Sequence, residues 1–418
     1  MAGSYWVETL GCPKNQVDSD KLTGTILADG LVPARRPEDA DLIVVNTCAF
    51  IEEARQESVD TILDLADRRR EGSRLVVTGC LAERYGSELA DVLPEADLVA
   101  GFGVPVTLGA RPRRQADTAG LDLLELPRPP ASAPWAYVKV AEGCDRACGF
   151  CAIPSFRGRQ RSRPVSSILG EVDALGVSEV VLVAQDLASY GRDVGRPGAI
   201  HELVAAVAER VARVRLLYLY PSELTDRLVD TVLATGVPYF DLSLQHVSRP
   251  LLRRMRRWGE GARFLERIAS IRRREPDAAF RSSFIVGYPG ETEEDHDALL
   301  TFIEEAQLDW AGFFAYSEEE GTYAAGLEPK VDRGLALERL SELGQAQDLI
   351  TTSRRAHLVG RPLEVLVDAP GRARSHREAP EIDGIVRVPR HLPTGSLAQV
   401  VAVAVTGPDL EALAVEAA

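Results

Sequence analysis

Residues 136–151 read AYVKVAEGCDRACGFC, an apolar run followed by three cysteines in a C-x-x-x-C-x-x-C arrangement. The apolar run predicts a buried strand, the first of six that are separated by helical segments. The six predicted strands span 136–140, 179–184, 215–220, 239–244, 281–286 and 311–316. Six βα units are too few to close an eight-stranded barrel. The sequence therefore predicts an open, partial (β/α)6 barrel, like an incomplete TIM barrel, with three cysteines directly after its first strand.

The tight spacing of Cys144, Cys148 and Cys151 suits three thiolate ligands of one iron–sulfur cluster. A 4Fe-4S cluster has four corners, so three cysteines leave one iron without a protein ligand. That iron can bind the amino and carboxylate groups of S-adenosylmethionine (SAM), which the protein orients and shields from water. Phe150 is placed to pack against the adenine. A structural zinc or an electron-transfer cluster normally takes four ligands, and no fourth cysteine or histidine lies nearby in the sequence.

The other three cysteines share one setting, in which a strand is followed by a polar turn and then the cysteine. They are Cys12 in ETLGC, Cys48 in VNTC and Cys80 in VTGC. If a weak strand near 31–34 is counted as the second, these cysteines follow strands one, three and four, which are neighbours in the order 2-1-3-4-5. The three thiols would then meet at one sheet edge and hold a second 4Fe-4S cluster. Buried cysteines at strand ends are also common, so a structural role stays open.

Further candidates for the cofactor pocket lie at the ends of barrel strands, where barrel chemistry collects. Gln185 and Gln245 follow two of the predicted strands, and the segment FIVGYPGET at 284–292 breaks from a strand into a tight turn. Glycine permits close backbone approach to a ligand. Gly287 and Glu291 are therefore predicted to cradle the adenosyl group, with an ordinary βα turn as the alternative.

Other polar residues of the barrel have simpler explanations. Thr292 and Asp295 resemble a helix-capping pair, and His246 is predicted to be a hydrogen-bonded structural histidine. Two arginine runs are expected to be solvated or ion-paired; they are Arg157, Arg159, Arg161 and Arg163, and Arg253, Arg254, Arg256 and Arg257. For Arg159 and Arg161, contact with a substrate or cofactor carboxylate stays open. No catalytic acid, base or nucleophile is assigned.

The chain divides into three predicted domains and a linker. Residues 1–112 alternate strands and helices as in a flavodoxin-like, doubly wound sheet. Residues 113–133, rich in Pro, Arg and Ala, are predicted to be the linker. Residues 134–356 hold the partial barrel and end in a long helix. Residues 357–418 are predicted to form a small all-β domain, with strands at 363–367, 384–388 and 399–405.

The charge balance points to a basic partner rather than to nucleic acid. The net charge is −15, from 63 acidic and 48 basic side chains, whereas broad nucleic-acid binding needs basic surface. No apolar run is long enough to span a membrane, and the N-terminus does not read as a signal peptide. We expect a cytoplasmic protein without membrane contact, whose six cysteines act as ligands rather than as disulfides.

Together these motifs resemble the methylthiotransferase family over nearly the whole chain. That family combines a flavodoxin-like domain carrying three cluster cysteines, a radical-SAM partial barrel and a small all-β, OB-like TRAM domain. One subgroup modifies an adenosine of tRNA, and another modifies an aspartate of the small-subunit ribosomal protein S-12. Four stretches are similar to the S-12 subgroup: LGCPKN at 10–15, NTCAFI at 46–51, EGC at 142–144 continuing to IPS at 153–155, and APEIDG at 379–384.

The resemblance implies a reaction, cofactors and partners. The reaction is conversion of C–H to C–SCH3 at the β-carbon of an aspartyl residue of S-12. The cofactors are two 4Fe-4S clusters and SAM: one SAM methylates a sulfur on the Cys12/Cys48/Cys80 cluster, and another is cleaved at the Cys144/Cys148/Cys151 cluster to give the hydrogen-abstracting radical. The partners are S-12, an electron donor such as flavodoxin or ferredoxin, and a sulfur source.

The C-terminal tail helps to choose between the subgroups. Residues 359–418 contain six arginines, no lysine and eight acidic residues, whereas a TRAM domain used on RNA is expected to be basic. The sequence therefore favours S-12 over tRNA. The alternatives are a tRNA adenosine 2-methylthiotransferase and, from a different class, a non-catalytic iron–sulfur redox protein.

Overall fold

The computed structural model describes residues 3–108 and 122–415. They form a five-stranded sheet with helices, a central repeat of strands and helices, and a small closed β-barrel. The predicted linker at 113–133 lies partly outside the described residues, which resume at Asp122. No helix in the described part of the chain is long and apolar enough to cross a membrane.

The first region alternates strands and helices along the chain. Its elements are β1 (Ser4–Thr9), α1 (Pro13–Ala28), β2 (Val32–Pro33), β3 (Leu42–Thr47), α2 (Glu52–Arg68), β4 (Arg74–Gly79), α3 (Cys80–Val92) and β5 (Leu98–Val99). The strands pair in parallel in the order β2-β1-β3-β4-β5. Every residue of β3 is buried, as expected for a central parallel strand covered on both faces. The predicted flavodoxin-like fold is confirmed.

The central region is the strand–helix repeat that the sequence predicted. Its elements are β6 (Trp135–Lys139), β7 (Ala141–Glu142), α4 (Ile153–Arg157), β8 (Arg161–Ser162), α5 (Val165–Leu175), β9 (Glu179–Val183), α6 (Ala199–Ala208), β10 (Arg213–Leu216), α7 (Asp226–Ala234), β11 (Tyr239–Gln245), α8 (Arg249–Arg254), α9 (Gly261–Arg274), β12 (Ala279–Val286), α10 (Glu293–Ala306), β13 (Trp310–Ala315) and α11 (Arg333–Ala356). The predicted capping pair is present, since Thr292 and Asp295 form a reciprocal capping box on α10.

Six of these strands form the wall of a partial barrel. They lie in chain order as two parallel three-stranded sheets, β6-β9-β10 and β11-β12-β13. A bridge between Leu219 and Leu242 joins the two sheets. The predicted partial (β/α)6 barrel is therefore confirmed. Val17 of α1 packs against its inner face, in one buried cluster with Tyr137 and Val181.

The C-terminal region closes into a small β-barrel. Its strands are β14 (Pro362–Ala369), β15 (Arg372–Arg374), β16 (Val386–Arg387), β17 (Leu397–Thr406) and β18 (Asp409–Ala414), joined in the order β14-β15-β16-β18-β17. The sequence predicted β14, β16 and β17 but not β15 and β18. The three residues of β15 are too short for a period-2 pattern, and β18 mixes acidic with small apolar residues.

The two flanking regions cover opposite ends of the central strands. At the amino ends, Trp310 at the start of β13 donates its indole N–H to the carbonyl of Arg377 at 2.7 Å. At the carboxyl ends, Lys139 at the end of β6 pairs with Asp18 of α1. The first region therefore lies over the end of the barrel at which barrel enzymes carry out chemistry.

Candidate active site

Cys12, Cys48 and Cys80 lie side by side at the carboxyl edge of the first sheet. Cys12 immediately precedes α1, Cys48 follows β3, and Cys80 is the first residue of α3. The strands that precede them, β1, β3 and β4, are adjacent in the sheet. Gly11 has a φ of +93°, and a side chain there would place its first carbon 2.8 Å from Cβ of Cys48. Glycine is therefore required for the loops of Cys12 and Cys48 to come together.

These three thiols form one electrostatic cluster. Burial, together with the neighbouring Cys12 and Cys80, raises the pKa of Cys48 to about 12. Burial also raises the pKa of Cys80, although Nη2 of Arg157 donates a hydrogen bond to its Sγ at 3.0 Å. Burial opposes ionisation of Cys12 as well, but the charges of Lys14 and Arg157 outweigh it and lower its pKa. A metal cluster would replace the protons, because metal ligation requires thiolates.

The second triad lies on the loop between β7 and α4. Cys144, Cys148 and Cys151 are all half-buried, and burial raises the pKa of Cys144 to about 11 and that of Cys151 to about 12. The backbone N–H of Arg146 donates to Sγ of Cys144 at 3.4 Å, and Nη1 of Arg257 donates to Sγ of Cys148 at 3.3 Å. Each triad thus has an arginine side chain that donates to one of its sulfurs.

The donor atoms fit clusters better than single ions. Within residues 3–108 and 122–415, no three or more His, Cys, Asp or Glu side chains gather tightly enough for one metal ion. A 4Fe-4S cluster instead takes one thiolate at each of several separate irons. Hydrogen bonds from Arg157 to Cys80 and from Arg257 to Cys148 are the kind of outer contact that orients such ligands. The residues present therefore fit iron–sulfur clusters.

Arg157 joins the surroundings of the two triads. Its Nη1 donates to the carboxylates of Glu142 at 3.0 Å and Asp18 at 3.2 Å, while its Nη2 contacts Cys80. Glu142 stands two residues before Cys144, so one guanidinium connects both cysteine loops. Burial opposes ionisation of Glu142, but Lys139 and Arg157 outweigh it and lower the pKa of that carboxyl. The junction between the two regions is therefore a buried network of charges.

Comparison with known proteins identifies the family. Three family models match this chain: "Uncharacterized protein family UPF0004" at residues 4–101, "Radical SAM superfamily" at 138–303 and "TRAM domain" at 359–415. The ribosomal protein uS12 methylthiotransferase RimO of Moorella thermoacetica is 44% identical over 402 residues, covering 91% of this chain and 92% of that protein. The RimO proteins of Geobacter sulfurreducens and Cutibacterium acnes are 41% and 40% identical, covering 91% and 90% of each chain.

The chain belongs to the RimO family of methylthiotransferases. The family resemblance drawn from the motifs is thereby confirmed, and the protein is an enzyme of the radical-SAM class. Which residues bind the cofactor and which ligate the clusters in this member of the family stays a prediction.

Three predicted cofactor residues lie at the mouth of the barrel. Phe150 is half-buried and packs against the central core. Gln185 follows β9, and its Nε2 donates to Glu142 at 2.6 Å while its Oε1 has no partner among the described residues. Gln245 ends β11 with a φ of 72°, next to an irregularity in the pairing with β12. Such a backbone conformation is strained for glutamine, and strain of this kind collects at functional sites.

Gly287 and Glu291 form a closed turn before α10. The Glu291 carboxylate accepts hydrogen bonds from the backbone N–H groups of Gly287 and of Tyr288, the latter at 3.1 Å, and pairs with Arg339 at 3.2 Å. A side chain at Gly287 would place its first carbon 2.8 Å from Cβ of Ala336. These contacts give Gly287 and Glu291 a structural role in the turn. That they also contact the cofactor stays a prediction.

The arginine runs and His246 behave differently from residue to residue. Arg159 and Arg161 are exposed and pair with Asp145 and Asp122. Arg157 is buried and contacts a thiol, which its place in an alternating run did not indicate.

His246 is buried, and its Nδ1 accepts from the N–H of Ser248 at 3.0 Å, but its Nε2 has no partner among the described residues. Burial lowers the pKa of His246 to about 4, so the imidazole is neutral.

Proposed function

We propose that this protein methylthiolates ribosomal protein uS12, the S-12 protein of the small subunit, at the β-carbon of an aspartyl residue. The Moorella thermoacetica and Geobacter sulfurreducens relatives are named as ribosomal protein uS12 methylthiotransferases, and each match covers 91% of this chain. The observation that carries the proposal is the junction at Arg157, where one buried side chain contacts Cys80 of the first triad and Glu142 beside the second. Radical formation and sulfur transfer need adjacent sites, and the contact of one guanidinium with both cysteine loops supports such an arrangement.

The family implies SAM and iron–sulfur chemistry, and we propose two clusters. Cys144, Cys148 and Cys151 would hold one, and Cys12, Cys48 and Cys80 would hold the other. When bound, these cofactors would supply the radical that removes a hydrogen from an unactivated carbon and the sulfur that replaces it. Acid–base side chains alone could not break such a C–H bond near neutral pH.

The protein's own residues would bind, orient and shield. Phe150, Gln185, Gln245, Gly287 and Glu291 would line the SAM pocket. Arg257 would donate a hydrogen bond to the cluster ligand Cys148, which lies 3.3 Å away. Arg157 would donate one to the cluster ligand Cys80, which lies 3.0 Å away. Burial of Lys139, Arg157 and Asp18 at the junction excludes water from the space beside the thiols.

The charge distribution supports a basic protein substrate. The chain carries a net charge of −15, and two of the six TRAM arginines are not available to a nucleic acid. Arg374 is buried in pairs with Glu179 and Asp368, and Arg377 is buried in pairs with Asp277 and Asp309. Phosphate binding needs exposed basic groups, so the TRAM barrel is poorly suited to RNA.

The test is intact-mass analysis of purified uS12 after anaerobic incubation with reconstituted enzyme, dithionite, sulfide and SAM. We expect a gain that matches replacement of hydrogen by SCH3, and fragmentation should localise it to an aspartate. A tRNA anticodon stem-loop that contains adenosine is the parallel substrate. If SAM is cleaved but only the tRNA gains the group, the substrate proposal is wrong and the tRNA alternative replaces it.

The remaining predictions are retained as part of this proposal. They are domain boundaries at 1–112, 134–356 and 357–418 with a linker at 113–133, a cytoplasmic location, and flavodoxin or ferredoxin as the electron donor. The sulfur source is expected to be a separate donor.

A further inference from the structure

Lys14 is a buried cation with an unusual set of partners. It lies in the first turn of α1, two residues after Cys12, and its side chain is 8% exposed. Its Nζ lies 3.3 Å from the centre of the Tyr218 ring, over the ring face. Among the residues that the structure describes, no carboxylate pairs with Lys14 and no acceptor takes a hydrogen bond from its Nζ. A buried ammonium group without a carboxylate partner is costly, so its retention calls for an explanation.

Three neighbouring cations are each paired with carboxylates. Lys139 pairs with Asp18 and Glu142, Arg157 pairs with the same two carboxylates, and Arg281 pairs with Asp241 and Asp383. The carboxylates near the junction are therefore already shared among other cations. Lys14 pairs with no described carboxylate: its contact is the Tyr218 ring, and its charge lowers the pKa of the nearby Cys12 thiol. The cation–π contact leaves N–H donors of the ammonium for a ligand.

The position of Lys14 does not serve the stability of its own helix. Lys14 stands at the amino end of α1, where the helix dipole repels a positive charge, and the first turn of α1 contains no acidic residue. The partner ring is held in place by a strained backbone, since Tyr218 has a φ of 64° and its N–H donates to Asp241 at 2.9 Å. Strain and an unneutralised charge in one contact are typical of a functional site.

The contact also lies in the right place for a substrate. Tyr218 follows β10 of the barrel, whereas Lys14 follows Cys12 of the first triad. Two residues further along, Tyr220 lies under Arg146 and Arg257, the two residues that donate to Cys144 and Cys148. The contact of Lys14 with Tyr218 therefore joins the loop of Cys12 to the barrel segment whose Tyr220 contacts Arg146 and Arg257 beside the second triad.

We propose that Lys14 binds the carboxylate of the aspartyl side chain that is modified. This inference rests on the proposed function and assigns the group that recognises its substrate. The ammonium donors of Lys14 would form a charge-assisted hydrogen bond with the carboxylate and hold the adjacent β-carbon between the two triads. Tyr218 acts through Lys14 as a positioning residue. The competing explanation is that the charge of Lys14 serves only the neighbouring Cys12.

The test is a cross between enzyme variants and peptide variants. The peptides span the modified position of uS12 and carry either the target aspartate or asparagine in its place. The enzymes are reconstituted wild type, Lys14→Met, which removes the charge at similar length, and Lys14→Arg, which keeps it. Affinity is measured by anaerobic fluorescence anisotropy of the labelled peptide, and kcat and KM are measured by product mass. Iron content and the EPR spectrum of each variant report whether the Cys12 triad still holds its cluster.

We expect wild type to bind the aspartate peptide about 10- to 100-fold more tightly than the asparagine peptide, as for loss of one charge-assisted bond. Lys14→Met should bind both peptides equally weakly with its clusters intact, and its loss should fall mainly on KM. Lys14→Arg should retain part of the preference.

Two results would overturn the inference. One is a Lys14→Met enzyme that still prefers the aspartate peptide, whether or not its iron content falls. The other is a wild-type enzyme that modifies both peptides without preference, a result that does not depend on the folding of any variant. Failure of the proposed function itself is distinguishable, because wild type would then modify neither peptide.

Discussion

The amino and carboxyl ends of the central barrel both meet their neighbours through buried charges, but the charges balance at only one end. At the amino end, Glu179 is shared by Arg215 at 2.8 Å and Arg374 at 3.0 Å, and Arg374 also pairs with Asp368 at 2.7 Å. At the carboxyl end, six thiols, the strained Tyr218 and the unneutralised Lys14 lie around the Arg157 network. The paired charges at the amino end hold two regions together, whereas the thiols and the Lys14 ammonium at the carboxyl end are available to ligands.

This difference agrees with the general division of labour in barrels. The amino ends of barrel strands commonly serve stability, and the carboxyl ends serve chemistry. Changes at the carboxyl end should therefore alter the reaction, and changes at the amino end should alter unfolding. Each of the following experiments tests one side of that comparison.

The largest effect is expected when the first triad is removed. A Cys12→Ala, Cys48→Ala, Cys80→Ala protein should make no methylthiolated uS12, because no site for the transferred sulfur is left. It should still release 5′-deoxyadenosine from SAM, because the Cys144 triad is unchanged. Both products are measured in one anaerobic reaction by mass spectrometry. Methylthiolated product from this variant would show that the two triads do not divide the reaction in this way.

The next effect concerns Arg157, the link between the triads. Arg157→Met removes the donor to Sγ of Cys80 and leaves Lys139 as the remaining cation paired with Glu142 and Asp18. Loss of an outer contact to a metal ligand typically lowers activity by about 10- to 100-fold. Methylthiolation should fall by that amount while SAM cleavage falls less. Arg157→Lys is the matched control and should keep part of the activity that Arg157→Met loses. Equal loss of methylthiolation and of SAM cleavage in both variants would contradict the role of Arg157 as the link between the triads.

At the amino end, Glu179→Gln should affect stability and not chemistry. It leaves Arg215 and Arg374 without their shared buried carboxylate, and breaking a buried pair typically costs about 3–5 kcal/mol. Anaerobic denaturant unfolding measures this loss, and kcat per folded enzyme should stay unchanged. Glu364→Gln is the control, because Glu364 is 51% exposed in its pair with Arg213 and should lose less than about 1 kcal/mol. Equal losses in the two variants would refute the structural role of the amino-end network.

The smallest effect is a pH dependence at Asp383, in the same interface. Burial raises the pKa of Asp383 to about 6 despite the nearby Arg281 and Arg215 and the hydrogen bond from Tyr239. Because the folded pKa lies above the unfolded value near 3.8, the stabilising contribution of the protonated form is lost as pH rises through 6. Between pH 5.5 and 8 wild type should lose about 1 kcal/mol from this group.

The check is the thermal unfolding of Asp383→Asn beside wild type across that pH range. The asparagine cannot ionise, so the difference in stability between the two proteins should shift in favour of the variant as pH rises. Other titrating groups, among them His376, contribute equally to both proteins and cancel. A difference that stays constant from pH 5.5 to 8 would show that Asp383 is not buried as described.

Local sequence patterns predicted most of the fold. Apolar runs marked the strands of both α/β regions, and the repeated setting of Cys12, Cys48 and Cys80 predicted their meeting, because parallel strands end at one edge. β15 and β18 were missed, since short or mixed segments carry no clear period.

The charges at the junction could not be predicted from the sequence. Arg157 and Arg159 look alike in an alternating run of arginines. The packing of α4 against the first region buries Arg157, which is 9% exposed, and leaves Arg159 exposed. Likewise, Lys14 lacks a carboxylate partner, since Asp18 and Glu142 pair with Lys139 and Arg157. Which pairs form depends on three-dimensional neighbours from three separate segments, and no local pattern encodes that choice.

The most direct test of two cluster sites facing each other at the carboxyl end is EPR spectroscopy of the reduced, reconstituted protein, with iron analysis. We predict two 4Fe-4S clusters per chain whose spins interact, so that the wild-type spectrum differs from the sum of the spectra of two variants. Those variants lack either Cys12, Cys48 and Cys80 or Cys144, Cys148 and Cys151. One cluster in wild type, or a spectrum equal to that sum, would contradict the account.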